Sequence, residues 1–331
     1  MTEKLFTKNF TLLILGQLTS LFGNFILKLA LSMYVLEVTG SAAIFAGILS
    51  AATIPTILLS PLGGILADRA DRRNIMVALD ALTGVSVLCA ALFLSESNAI
   101  AVISTLLIIL SILGAFETPT VQACIPTMLQ GDNIMKGNAV VNQVASLSYL
   151  IAPMLGGVLY AMLGLKPVMY ASVVCFFITA LFECFIKLSY QRIQNQGGVL
   201  QIVKQDFLSS MQYISKEQTS ISKMLLLTAF SRFFVMGITI VGLPFLVRTV
   251  LGFNPKYYGA AESALAVATI LGSIAAGILA EKLKIHKLSV LLATLGIFII
   301  PAGIVFLLPV NAIIKYGVTV VSFCGMQAVI S

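Results

Sequence analysis

Gly64-Ile65-Leu66-Ala67-Asp68-Arg69 returns 213 residues later as Gly277-Ile278-Leu279-Ala280-Glu281-Lys282. Each copy closes a long apolar stretch, carries an acid and then a base, and runs on into further basic residues: Arg72 and Arg73 after the first, Lys284 and Lys287 after the second. Sequence and position along the chain repeat together, so the chain reads as two related halves, residues 1–189 and 224–331, joined by a polar segment at 190–223. Parallel repeats of this kind are one plan on which membrane transporters are built.

The composition says which solvent surrounds those halves. Of the 331 residues, 59% are hydrophobic and only 10% charged, with a mean hydropathy of +1.04. Soluble domains hold about 25% charged residues, so this chain cannot cover its apolar surface in water. A lipid bilayer is the implied partner, and a spanning helix needs about 20 mostly apolar residues. Ten stretches qualify: 10–36, 43–67, 74–94, 99–124, 138–163, 167–189, 224–248, 257–280, 287–308 and 310–331. The expected fold is an all-α polytopic bundle in two halves, six helices in the first and four in the second. A second half as long as the first would need roughly 70 more residues, space for two spans of about 20. The chain is therefore expected to be a ten-helix piece of a twelve-helix design.

Lys and Arg set the orientation. With the N-terminus inside, Lys4, Lys8, Arg69, Arg72, Arg73, Lys136, Lys187, Arg192, Lys204, Lys216, Lys223, Lys282, Lys284 and Lys287 all fall on the cytoplasmic side, against Lys166, Arg248, Lys256 and Lys315 outside. Such a bias marks a multi-pass protein of the cell (inner) membrane with a cytoplasmic N-terminus. It also accounts for the net charge of +7 without nucleic acid, since no basic run is interleaved with aromatics. In 190–223, Leu200, Val203, Phe207, Met211 and Ile214 recur every three or four residues, the pattern of an amphipathic helix on the inner face. The five cysteines form no CxxC pair, and the single histidine, His286, leaves no basis for a metal centre.

Beyond the repeat, Gly63-Gly64-Ile65-Leu66-Ala67-Asp68-Arg69-Ala70-Asp71-Arg72-Arg73 resembles the signature that the major facilitator superfamily carries between its helices 2 and 3. Asp71 stands where a glycine is often found. Gly16-Gln17-Leu18-Thr19-Ser20-Leu21-Phe22-Gly23-Asn24, Phe116-Glu117-Thr118-Pro119, Ile125-Pro126 and Gly137-Asn138-Ala139 are similar to the macrolide-efflux and enterobactin-exporter branch, where an acid often takes the place of Asn24. Pro153, Gly156 and Gly157 look like the end of the antiporter signature of helix 5, with Ala139, Ser148 and Ala152 in place of its upstream glycines. The resemblance implies that Gly64, Asp68, Arg69, Arg72, Arg73 and Asp80 belong to a gate and that the small residues of helix 5 pack against a neighbour.

Ionisable and polar groups inside spans are costly and mark functional sites. Gln17, Ser20, Asn24 and Lys28 form one stripe on helix 1, which should face a cavity; for Lys28, snorkelling to the outer interface is the alternative. Glu117 and Glu262 are candidates for coupling or substrate contact. Asp80 is read first as pairing with the basic loop, Glu183 and Lys187 as a surface pair, and Arg232 as a partner for helix 1 or helix 4 or as a snorkelling residue. The function this implies is secondary active transport: proton-coupled efflux of a small organic compound, drug-like or macrolide-like, by a monomer using alternating access. The proton gradient supplies energy and no cofactor is required. Export of a siderophore or lysolipid, with Lys28 and Arg232 as anion contacts, is the alternative within transport. A non-transporting remnant or membrane scaffold is the alternative outside it. An enzyme is disfavoured by the lack of a nucleophile-and-base pair.

Overall fold

A computed structural model describes residues 5–188, 219–279 and 288–330. Every regular element in these stretches is helical. The first half supplies α1 (Lys8–Thr39), α2 (Ala42–Arg69), α3 (Arg72–Phe93), α4 (Ala99–Met128), α5 (Asp132–Leu163) and α6 (Leu165–Cys184). In the second half, α7 is one rod from Thr219 to Val250. It is α-helical over Thr219–Gly237 and Leu243–Phe245, and π-wound over Ile238–Gly242 and Leu246–Val250. Then come α8 (Pro255–Leu279), α9 (Leu288–Leu307) and α10 (Ala312–Ile330).

Nine of these helices are long and apolar enough to cross a membrane, and α9 contributes a shorter apolar stretch at Thr294–Leu307. Their outer faces carry large bare side chains, among them Leu58, Phe93 and Phe233. In water such a surface would drive aggregation; against acyl chains it costs nothing, and helices satisfy every backbone group internally, as a bilayer demands. Helix α7 begins at Thr219 rather than Met224, so it takes in the last residues of the expected linker. The amphipathic pattern at 200–214 and the basic end of the second repeat copy, Ala280–Lys287, lie outside the described residues.

Short turns reverse the chain between helices. Gly40 ends α1 in the left-handed region (φ 59°) and its N–H closes on the Leu36 carbonyl at 2.9 Å, a conformation that favours glycine. Asp71 caps α3: its Oδ1 accepts from the Arg73 N–H at 3.1 Å. The departure from the family's glycine at this position is thus a helix start.

Side chains pack into two clusters. The smaller joins Phe10, Leu13, Met76, Val121, Cys124, Ile125, Leu129 and Ile186 from the first half alone, at the end of the bundle that carries Arg73. The larger takes residues from both halves, among them Leu31, Val35 and Met169 from the first and Leu243, Val247, Tyr258 and Leu265 from the second. The halves are joined toward the Thr39 end. There α5 and α8 come into backbone contact: a Cβ on Gly259 would sit 2.4 Å from the Pro153 carbonyl oxygen, and one on Gly157 would sit 2.8 Å from that of Pro255. Ser263 adds a hydrogen bond to the Leu150 carbonyl at 2.6 Å.

Candidate functional site

The polar stripe of α1 lies beside a cavity of about 400 Å³ lined by α1, α2, α4 and α5. Gln17, Asn24 and Lys28 line it from α1, Thr56 from α2, Ser111, Glu117 and Gln122 from α4, and Asn142 from α5; Leu21, Phe25, Leu110 and Val121 supply apolar wall. Lys28 stands accessible within this space, and it and Glu117 interact electrostatically across it. Two polar atoms, Gln17 Nε2 and Asn24 Oδ1, are buried without a hydrogen-bond partner. A wall with unspent donors and acceptors on an otherwise apolar lining suits an amphipathic guest.

Small residues hold the helices that frame this cavity at short range. Pro119 lacks the N–H that would bond the Ala115 carbonyl one turn back. That oxygen is covered by Gly63 of α2, where a Cβ would approach it to 2.4 Å. The α2–α4 contact therefore depends on Gly63. A Cβ on its neighbour Gly64 would meet nothing within 4 Å, so the packing role falls one residue before the position singled out in the sequence. On the other side, Gly16 and Gly23 let α6 lie against α1. Thr179 Oγ1 donates to the Gly16 carbonyl at 3.2 Å and Ser172 Oγ to that of Gly23 at 3.1 Å. Gly156 packs on Ile26 of α1, where a Cβ would lie 3.2 Å from its Cα.

Two further acids stand at the centre of the half, Asp80 from α3 and Glu183 from α6. Ser20 Oγ lies 3.0 Å from Asp80 Oδ1 and 3.4 Å from Glu117 Oε1. Asp80 is 2% exposed and Glu183 1%, and the two acids are electrostatic neighbours. Both readings made for these acids from sequence fail. Asp80 does not turn to the basic loop; its place in α3 faces α1. Glu183 forms no surface pair with Lys187, because α6 ends at Cys184 and Lys187 lies beyond it, its N–H held by Asn9 Oδ1 at 3.2 Å.

The remaining candidates lie elsewhere. Within the Asp68–Arg73 motif, Arg72 reaches Asp68 at 3.9 Å, and Arg73 Nη2 donates to the Cys184 carbonyl at 2.7 Å, tying the start of α3 to the end of α6. Arg69 is the last residue of α2. Arg232 is exposed on α7 and donates to the Ile330 carbonyl at 3.3 Å, so it joins neither α1 nor α4. Glu262 of α8 accepts from the Tyr258 hydroxyl at 2.6 Å beside Tyr149 of α5. It belongs to the seam between halves and not to the cavity lining.

One ionic contact has no signature in the sequence. Glu37, near the end of α1, accepts from Tyr160 Oη of α5 at 2.8 Å and lies 3.4 Å from Arg248 Nη2 of α7. Arg248 also donates to the Phe253 carbonyl. Glu37 stands two residues before the end of its helix, where an acid reads as an ordinary interfacial charge.

A family profile described as Major Facilitator Superfamily matches residues 13–331. The chain belongs to the Major Facilitator Superfamily. It is 25% identical over 288 residues to macrolide efflux protein A of Streptococcus pyogenes, covering 86% of this chain and 68% of that one. It is 30% identical over 159 residues to multidrug efflux pump Tap of Mycolicibacterium fortuitum, covering 46% and 39%. Among solved structures, a D-xylose–proton symporter superposes with a TM-score of 0.71 at 14% identity, over 97% of this chain and 79% of that one. The fold is that of major facilitator transporters, and this member is a multi-pass membrane transporter, not an enzyme.

Proposed function

We propose that this transporter exports a small organic compound, drug-like or macrolide-like, in exchange for protons. The observation that carries the reading is the cavity in which Glu117 and Lys28 face one another among unpartnered amides. A carboxyl group at the wall of such a cavity can hold a proton in one state of the transporter and release it when cargo displaces it. The similarity to macrolide efflux protein A over most of the chain supports efflux and the cargo class. The apolar walls suit a drug-sized amphipathic guest, and Glu117 suits a basic one. Anionic cargo is less well supported, since of the two cations proposed for it only Lys28 lines the cavity.

Coupling is assigned to Glu117 and not to Glu262. The test is efflux of erythromycin, and of ethidium as a second probe, from cells and membrane vesicles with and without a proton gradient. Glu117→Gln should insert normally and lose gradient-driven efflux, while Glu262→Gln retains it. Equal gradient-driven efflux by wild type and Glu117→Gln would remove Glu117 from the mechanism. The N-terminus and the Arg73 end are placed in the cytoplasm. Topology reporters fused at Asn195 and Asn254 should report inside and outside; the same side for both would reject that orientation.

A further inference from the structure

We propose that Glu117, Ser20, Asp80 and Glu183 form a buried proton relay, which carries the coupling proton from the cavity to the Arg73 end of the first half. It rests on the proton-coupled reading above and adds three residues to it.

The hydroxyl of Ser20 lies between two of these acids. It stands within hydrogen-bonding distance of both Asp80 Oδ1 (3.0 Å) and Glu117 Oε1 (3.4 Å). A hydroxyl has one proton and two lone pairs. It cannot donate to two carboxylates at once, but it can donate to Asp80 while accepting from Glu117, provided that Glu117 carries a proton. In that arrangement transfer is a concerted shift. Glu117 O–H gives its proton to Ser20 Oγ as Ser20 gives its own to Asp80. Glu117 becomes a carboxylate, Asp80 a neutral acid, and Ser20 is unchanged. No other reactant is required.

The next step is set by what surrounds Asp80 and Glu183. Asp80 Oδ2 and both carboxyl oxygens of Glu183 are buried without a donor. Among the described residues no Lys or Arg forms an ion pair with either. The groups that face them are Glu117 on α4, Cys124 on α4 and Cys184 on α6, with Arg72 and Asp71 near Cys124. Two neighbouring buried carboxyl groups without a cation are accommodated most simply by a proton shared between them. The proton that arrives on Asp80 can therefore pass to the unpartnered carboxyl group of Glu183.

Glu183 is where this chain of groups reaches the gate. The carbonyl of the next residue, Cys184, holds Arg73 Nη2 at 2.7 Å. A change of charge on Glu183 is thus felt one peptide away from the contact that ties α3 to α6. The seating of α6 against Gly16, where a Cβ would lie 3.7 Å from Glu183 Cγ, keeps the acid in line with Ser20 one turn further along α1.

The test reads the relay without cargo or gradient. Purified protein is followed by infrared difference spectroscopy across the pH range in which it stays folded, and the carboxylic-acid C=O band is watched for its exchange in deuterated water. Wild type should show a buried carboxylic-acid band. Asp80→Asn and Glu183→Gln should each lose part of it. Ser20→Ala should keep the band but slow its exchange by roughly a hundredfold, and Ser20→Thr, which restores a hydroxyl, should recover the rate. A purely structural role for Ser20 would not follow the hydroxyl in this way. Absence of the band in wild type overturns the relay, as does a band unmoved by both acid substitutions or wild-type exchange in Ser20→Ala. Should either acid variant fail to fold, the wild-type band and the Ser20 pair still decide. Because efflux by wild type and Glu117→Gln is measured separately, failure of the relay and failure of proton-coupled efflux are told apart.

Discussion

At the scale of single residues, the glycine pair Gly63 and Gly64 makes the sharpest contrast. Both stand in the motif from which the fold was read, yet only Gly63 touches another helix closely, over the carbonyl that Pro119 leaves without its helical donor. Gly63→Ala should destabilise the protein by about 1–3 kcal/mol, the cost of forcing a methyl group into a packed contact. Gly64→Ala should change stability by no more than about 0.5 kcal/mol. Thermal unfolding in detergent measures both, and equal effects would mean that the α2–α4 contact is looser than the structure shows. Sequence reading located the motif but not which glycine mattered, because helix phase relative to a neighbour is not written in either helix alone. The same limit explains Asp80. Its distance from the Arg73 loop could be counted, but its rotation toward Ser20 could not. The stripe Gln17, Asn24 and Lys28 was legible because three residues on one helix fix a common face without reference to a partner.

At the scale of elements, hydropathy located the spans well, since length and apolarity are local properties. It gave no sign of the two π-wound turns around Leu243-Pro244-Phe245 in α7, which allow the rod to continue past a proline with no N–H to give. The i,i+4 spacing misplaces Glu183 for a related reason: the rule holds only inside one helix, and α6 stops at Cys184. The contact of α5 with α8 is the element-level feature with the clearest consequence. Gly259 lies against the Pro153 carbonyl and Gly157 against that of Pro255, so these helices meet backbone to backbone at the Thr39 end. Gly259→Val should prevent that approach while leaving each half folded. Spin labels at Ala161 and Asn254, which line the same cleft near Glu37, should then report a longer and broader distance than in the parent. An unchanged distance would show that the seam closes without Gly259.

At the scale of the whole molecule, among the described residues, the shared core and the named contacts between halves gather toward the Thr39 end, while the cluster at the Arg73 end draws on the first half. The halves are thus joined at the end that carries Glu37, and under the transport cycle proposed above that end has to open in turn. Glu37, Tyr160 and Arg248 join α1, α5 and α7 at that end. The pair is unevenly exposed, Arg248 at 14% and Glu37 at 55%, so solvent and salt screen it in part. Its worth is then that of a partly exposed ion pair, about 0.2–1 kcal/mol. That is small beside the stability of the fold, but a transporter's two states must lie close in free energy, and about 1 kcal/mol moves such an equilibrium roughly fivefold. Glu37→Gln keeps an acceptor for the Tyr160 hydroxyl and removes the charge that faces Arg248. It should therefore leave the unfolding temperature nearly unchanged and raise the population open at the Thr39 end by up to about fivefold. The same pair of labels at Ala161 and Asn254 reads this population directly. High salt should shift the wild type in the same direction and leave Glu37→Gln unmoved, because screening can weaken only a charge pair that is present. If salt shifts both proteins alike, the closed state is held by the α5–α8 seam alone and the ion pair is not its latch.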